Sequence, residues 1–272
     1  MNKKIRNSVI IEKETVKKKK NKEVLELYDY LKTRNFENIP NIIQVDDEYI
    51  TYEKIKEEKY HEKTKGIELI KTLSLLHYKT LFFKDVSKNK YRDVYEKINN
   101  NIEYLKEYYE TLISEIELEK YMSPSHYLFA RNYSVILNSI NYATKELKNW
   151  FKIVENKSKE RVCVVHNNVS FDHFIKGDKN YLISFEKHLV DSPVIDLYKF
   201  YKKEGYKLDF NLLLEEYNNE LKLLPEETKL LNILISLPPK LIEVDNEYLN
   251  TIEVNNLFEY IYNGMNIVNA KK

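Results

Sequence analysis

Apolar positions recur along this chain with two different spacings, and the change from one to the other divides it. Near the start the pattern is short and strand-like: Ser8–Ile11 is a mostly apolar run, and Ile42–Val45 and Glu48–Ile55 read as two strands joined around Asp46-Asp47. Between them Leu25, Leu27, Tyr28 and Leu31 form an apolar stripe that predicts a helix over Glu23–Thr33. Helical spacing prevails afterwards. Leu69, Ile70, Leu73, Leu76 and His77 mark one helix, and Val94, Ile98, Ile102, Leu105, Tyr109 and Leu112 another over Tyr91–Ile113. Ser123-Pro124 is a helix start, a Ser cap with Pro at the first helical position, and the helix runs towards Trp150-Phe151. Further helices are predicted from Asp209 through Leu221, from Pro225 to before Pro238-Pro239, and from Asp245 through Tyr262. Strands first, a hairpin in the middle and helices around it make the fold class α+β.

One stretch interrupts the helical part. Arg161–Val165 is a short apolar strand that stops at the polar run His166-Asn167-Asn168. Phe171–Ile175 and Tyr181–Phe185 flank Gly177-Asp178, a hairpin turn signal. Pro193 then opens a helix, where its missing N–H costs nothing. Polar loops held between apolar strands are where sites are built, so 161–201 is the candidate core of the function.

Composition narrows the class. With 272 residues and 43% hydrophobic residues the chain can fill a large core. Its single cysteine, Cys163, lies inside an apolar strand and excludes an intramolecular disulfide, as expected of a reducing compartment. No charged-then-apolar leader opens the chain, and no apolar run approaches a membrane span, so a soluble, cytoplasmic protein is expected. Residues 1–22 carry Lys3, Lys4, Arg6, Lys13, Lys17, Lys18, Lys19, Lys20 and Lys22 against Glu12 and Glu14, a local charge of +7 in a chain whose net charge is +1. The bland reading of that run is a solvated basic edge; an interaction or nucleic-acid-binding scaffold is the alternative. The first glycine in the chain is Gly66, so no glycine-rich loop precedes it to bring backbone N–H groups against phosphates.

The core segment resembles that of the aminoglycoside phosphotransferase and choline kinase-like superfamily, including its spore-coat kinase-like branch. The family pattern is an apolar strand, His-Gly-Asp, four residues, Asn, a hairpin, an apolar strand ending in Asp-Phe-Asp or Asp-Trp-Glu, and a later Pro-x-x-Asp-Leu. On this sequence His166 takes the place of the His, Asn167 of the Gly, Asn168 of the proton-accepting Asp and His173 of the metal-binding Asn. Ser184 takes the place of the metal-binding Asp, with Phe185 and Glu186 after it, and Pro193 with Asp196-Leu197 fits the tail as written. The resemblance implies a protein kinase-like two-lobe fold: a small, truncated N-terminal lobe over 1–55 and a helical lobe over 56–272. It also implies that one of Lys17, Lys18, Lys19 and Lys20 holds the phosphate-contacting position, paired with Glu23 or Glu26. Tyr52, Glu53 and Lys54 would form the hinge between lobes, and Asp196 would brace the catalytic loop.

The positions that matter chemically are the ones that depart. Asn168 can orient a hydroxyl but cannot accept its proton. Ser184 offers a neutral hydroxyl where magnesium needs a carboxylate, and His173 offers an imidazole, which suits transition metals better. The expectation is a pseudokinase with no cofactor, acting as a binding or regulatory module for an unidentified small molecule or protein. The alternative is an active ATP-dependent phosphotransferase with magnesium or manganese in a rearranged site supplied by Asp172, Glu186 and Asp191. Against that rescue, Asp172 reads as a turn residue and Asp191 as a helix cap. A zinc site from His166, His173 and Asp172 lacks a recognisable ligand spacing, so the histidines read as structural.

Overall fold

Short strands flank a single helix in the described part of the first fifty residues. The computed structural model describes residues 4–6, 9–58, 61–242 and 244–269, so Lys3 and Ser8 lie outside the described residues. Strands β1 (Lys4–Arg6), β2 (Val9–Ile11), β3 (Thr15–Lys19), β4 (Ile42–Val45) and β5 (Tyr49–Glu53) form one sheet in the order β1-β2-β3-β5-β4. Every neighbouring pair is antiparallel. Three strands precede the first helix. Most of the Lys17–Lys20 run is strand β3. Its register pairs Val16 with Tyr52 and Lys18 with Ile50.

Helix α1 (Lys22–Thr33) starts at Asn21, whose side chain accepts from the Glu23 and Val24 N–H groups at 2.9 and 3.3 Å. It buries Val24, Leu27, Tyr28 and Leu31, and Asn35 beyond its end adopts a left-handed φ of 54°. Helix α2 (Glu62–Lys79) follows, and then β6 (Phe82–Asp85), a short exposed strand absent from the sequence reading. The other helices are α3 (Lys90–Glu117), α4 (Pro124–Val154), α5 (Val194–Lys203), α6 (Phe210–Glu220), α7 (Pro225–Ser236) and α8 (Glu247–Asn269). The polar centre of the chain adds β7 (Lys159–Val165), the hairpin β8 (Phe174–Lys176) and β9 (Asn180–Leu182), and β10 (Leu189–Asp191), which lies antiparallel to β7. The fold is therefore α+β, a small antiparallel-sheet lobe followed by a mainly helical remainder. Among the described residues no helix is long and apolar enough to cross a membrane.

The chain divides into two compact units. The first comprises Met1–Phe82, Arg161–Phe200 and Leu212–Lys222. The central hairpin belongs to this unit because it is bonded to the N-terminal lobe: the Leu182 N–H donates to the Asn38 carbonyl (2.8 Å) and the Glu58 N–H to the Lys176 carbonyl (2.9 Å). No described glycine has a positive φ, so Gly177 is not demanded by turn geometry. A Cβ there would lie 2.8 Å from Ile55 Cγ2 and 3.2 Å from the Lys56 carbonyl, so glycine lets the segment after β5 pass close over the hairpin.

The second unit comprises Phe83–Glu160, Tyr201–Asn211 and Leu223–Lys272. Ser123 caps α4 as expected, its hydroxyl accepting from the His126 N–H at 3.2 Å. The core of this unit is aromatic, with Tyr109 stacked on Phe129 and Tyr201 edge-on to Phe210 and Tyr260.

Candidate functional site

The three valines and the cysteine of Val162–Val165 are buried, so the chain leaves β7 at a fixed point. There the buried carboxylate of Asp196, on α5, accepts from the His166 N–H and the Asn167 N–H, each at 2.6 Å, one on each oxygen. His77, on the buried face of α2, adds its Nε2 at 3.1 Å, and its Nδ1 lies 2.8 Å from the Tyr217 hydroxyl. Asp196 is completely buried, and these donors compensate a charge that would otherwise be very costly there.

His166 is also completely buried. Its Nε2–H donates to the Ile183 carbonyl at 2.7 Å, while its Nδ1 has no hydrogen-bond partner. Burial holds the imidazole below its ordinary 6.5, outweighing the pull of Asp196, so the ring is neutral. Asn167, in the family's glycine position, adopts a left-handed φ of 61°, which asparagine tolerates better than most residues. Its amide donates to the Lys187 carbonyl at 2.8 Å, and the Lys199 ammonium donates to both its carbonyl and its Oδ1.

The positions where the family keeps its chemistry are engaged differently. The Asn168 carbonyl accepts from His173 Nδ1 at 2.7 Å, and the Ser170 hydroxyl lies 3.1 Å from the same nitrogen. His173 thus ties down the loop, and Asp172 occupies the short turn Phe171–His173 as the sequence suggested. Asp191 is a strand residue whose carboxylate accepts from the Ser192 N–H; the Ser192 hydroxyl, rather than Asp191, accepts from Val194 at the start of α5. Ser184 has a left-handed φ of 69° and accepts from the Lys18 ammonium at 2.9 Å. The same ammonium pairs with Glu186 at 2.7 Å. Burial pushes the Glu186 carboxyl up, but Lys18 more than offsets this, and the group lies below its ordinary 4.5.

Of the four lysines weighed for the phosphate-contacting position, Lys18 is the one that points into the site. Its partner is Glu186, not Glu23 or Glu26. Lys17 pairs with Glu12, Lys19 and Lys20 are exposed, and Glu26 pairs with Lys22. The basic run is therefore not one continuous solvated strip.

A cleft of about 530 Å³ opens within the first unit, in the size range of small-molecule sites. Val9, Ile11, Val16 and Tyr52 from the sheet face Ile175, Ile183 and Phe185 from the hairpin region. The expected hinge residues Tyr52, Glu53 and Lys54 all line it, as do Lys18, Asp172, His173, Ser184 and Glu186. Asn168, His166 and Asp196 do not, and neither do Lys17, Lys19, Lys20, Glu23 or Glu26. Aromatic rings connect its wall to the loop: Tyr52 meets Tyr28, Tyr28 meets Phe185, and Phe185 meets His166 at a centroid distance of 4.6 Å. Sequence reasoning read the apolar run that holds β2 but missed the inward face of β3. Its one signal was the alternation of Val16 and Lys18, masked by the neighbouring lysines.

The donor set does not fit the magnesium–ATP that this architecture implies. The hydroxyl in the principal ligand position is held by an ammonium 2.9 Å away, which repels a second cation at that point. Among the described residues no three His, Cys, Asp or Glu side chains are grouped to hold a metal ion, a zinc site from His166, His173 and Asp172 included.

No family model matches the chain, and no curated protein matches it. Solved structures do. An aminoglycoside phosphotransferase from Alicyclobacillus acidocaldarius superposes with a TM-score of 0.72 at 9% identity, covering 98% of this chain and 89% of that one. A choline kinase from Streptococcus pneumoniae aligns with a TM-score of 0.45 at 13% identity, over 98% of this chain and 89% of that one. The chain has the kinase-like fold of this aminoglycoside phosphotransferase.

Proposed function

We propose that this chain is a catalytically degenerate, kinase-like protein that works as a cytoplasmic binding or regulatory module through the cleft of its first unit. The observation that carries the reading is the Lys18–Ser184–Glu186 cluster. The lysine placed to meet a phosphate is held by the residue that replaces the metal-binding carboxylate. Phosphoryl transfer depends almost wholly on cations and positioning, and the positions that match the family's principal metal ligand and proton acceptor hold Ser184 and Asn168, neither of which is a carboxylate. The scaffold around them keeps its brace, which suits a protein that holds a shape for binding.

The competing reading is an active small-molecule phosphotransferase with a rearranged metal site. It draws on Asp172, His173 and Glu186 lining one cleft. The deciding experiment incubates the protein with ATP and magnesium or manganese against aminoglycosides, choline and other amino alcohols, and follows transfer of the γ-phosphoryl group. No turnover above buffer is expected. Metal-dependent transfer that disappears in Asp172→Ala or Glu186→Ala overturns the proposal.

A further inference from the structure

The second unit gathers exposed apolar side chains at one end. The turn between α3 and α4, the start of α4 and the segment from 241 into α8 converge there. Glu247 accepts from the Ser125 N–H and hydroxyl at 2.6 and 3.1 Å, and His126 Nδ1 lies 2.7 Å from Glu119. Ile116, Phe129, Ile242 and Val254 line one small pit between these segments. Around it Leu118, Tyr121, Tyr127, Ile242 and Tyr248 leave between 60% and 87% of their surface in solvent, and Met122 is exposed beside them.

With roughly 200 Å² per aromatic side chain, the three tyrosines alone expose about 400 Å². Leu118 and Ile242 carry the face to the top of the ~300–600 Å² range of the largest patch on a typical monomer, towards the ~800 Å² that each partner buries in a standard interface. The charges set into this face are engaged inside the fold. Glu119 pairs with His126, Glu247 is held by Ser125, and the Lys120 ammonium lies 5.4 Å from the centre of the Tyr121 ring. Tyrosine, leucine, isoleucine and methionine around engaged charges match the core of a homodimer interface, which is rich in aromatic residues and methionine and poor in free charge. Glu117, Asp245 and Glu253, exposed on the same elements, repel their own copies across a two-fold axis, so salt strengthens such a contact.

We propose that this end of the second unit is the interface of an isologous homodimer, the face around Tyr121 and Tyr248 meeting the same face of a second copy. None of its residues lines the cleft of the first unit, so the dimer does not depend on what that cleft binds.

Sedimentation equilibrium of the full chain with reducing agent, over about 1–100 μM, tests the assignment. The wild type sediments as twice the 32.8 kDa chain. Its dissociation constant is about 10 μM or below, and association holds or tightens between about 0.05 and 0.5 M salt. Leu118→Glu and Tyr248→Glu, exposed and on separate elements, each weaken association at least about tenfold without lowering the thermal midpoint. Tyr262→Glu, at an exposed tyrosine farther along α8, leaves association unchanged. Where melting shows that one face variant does not fold, the other decides. A wild type that stays monomeric at about 100 μM overturns the proposal. So does a dimer that survives both folded face variants, or one that Tyr262→Glu breaks. Self-association lost at high salt marks a contact led by charge, and a monomer that co-sediments with phosphatidylcholine vesicles gives the face to a lipid surface; either result also overturns it.

Discussion

Asp196 and Ser184 stand at the two ends of one loop system and use their polar groups in opposite ways. Around Asp196 a fully buried charge is surrounded by donors that cannot go elsewhere: two backbone N–H groups and a buried histidine. Around Ser184 a neutral hydroxyl meets a partly exposed ion pair between flexible side chains. The first arrangement sets the path of the loop; the second fills the end of a cleft. Scaffold and chemistry are therefore separable here. The kinase-like fold holds Asp196 in a complete set of donors, while Lys18, Ser184 and Glu186 bond to one another at the cleft.

The sharpest way to break that contrast is to remove the brace. Asp196→Ala strands three buried donors and should cost roughly 3–5 kcal/mol of folding stability, within the range for breaking a buried charged contact. Urea unfolding followed by circular dichroism reads it directly. A loss under about 1 kcal/mol would mean that the loop finds other acceptors and that the two regions do not differ as described.

His166 gives a smaller, pH-dependent effect on the same side of the contrast. Its folded-state pKa lies below the ordinary 6.5 because burial disfavours the charged ring, despite the pull of Asp196 and Glu186 and with His173 opposing the charge. Between the folded value and 6.5 the unfolded chain binds a proton that the folded chain does not. Acid therefore favours unfolding, and this contribution to stability is lost as pH falls below 6.5. Its slope is at most about 1.4 kcal/mol per pH unit. Urea midpoints between pH 7.5 and 5.5 should fall more steeply for the wild type than for His166→Gln; parallel curves would remove His166 from the account.

The two regions were also unequally legible in the sequence. Strand β7, His166, the hairpin around Gly177, Pro193 and Asp196 follow one another within forty residues, and local turn and cap rules order them. Even there the hairpin strands proved shorter than expected, because Phe171–His173 and Phe185–Lys187 close into tight turns. The Lys18 cluster was hidden for two reasons. Four successive lysines mask the inward alternation of β3, and the partner, Glu186, lies 168 residues away, beyond any local rule. Strand β6 was missed because all four of its residues are exposed and carry no burial period.

The smallest expected effect draws the line between the regions most finely. Lys18 and Glu186 keep 19% and 44% of their side-chain surface exposed, so solvent screens their attraction and both chains lose freedom in making it. Glu186→Gln keeps the shape and a hydrogen-bond acceptor for Lys18. It should change folding stability by no more than about 1 kcal/mol. Because the carboxyl lies below its ordinary 4.5 in the folded state, the pair's contribution is present above that value and fades as pH falls through the lower folded value. Wild type and Glu186→Gln should therefore converge in thermal midpoint at acidic pH and separate slightly near neutrality. A loss as large as that of Asp196→Ala would place Glu186 in the scaffold rather than in the cleft, and the division between a rigid brace and a replaceable reaction centre would fail at that residue.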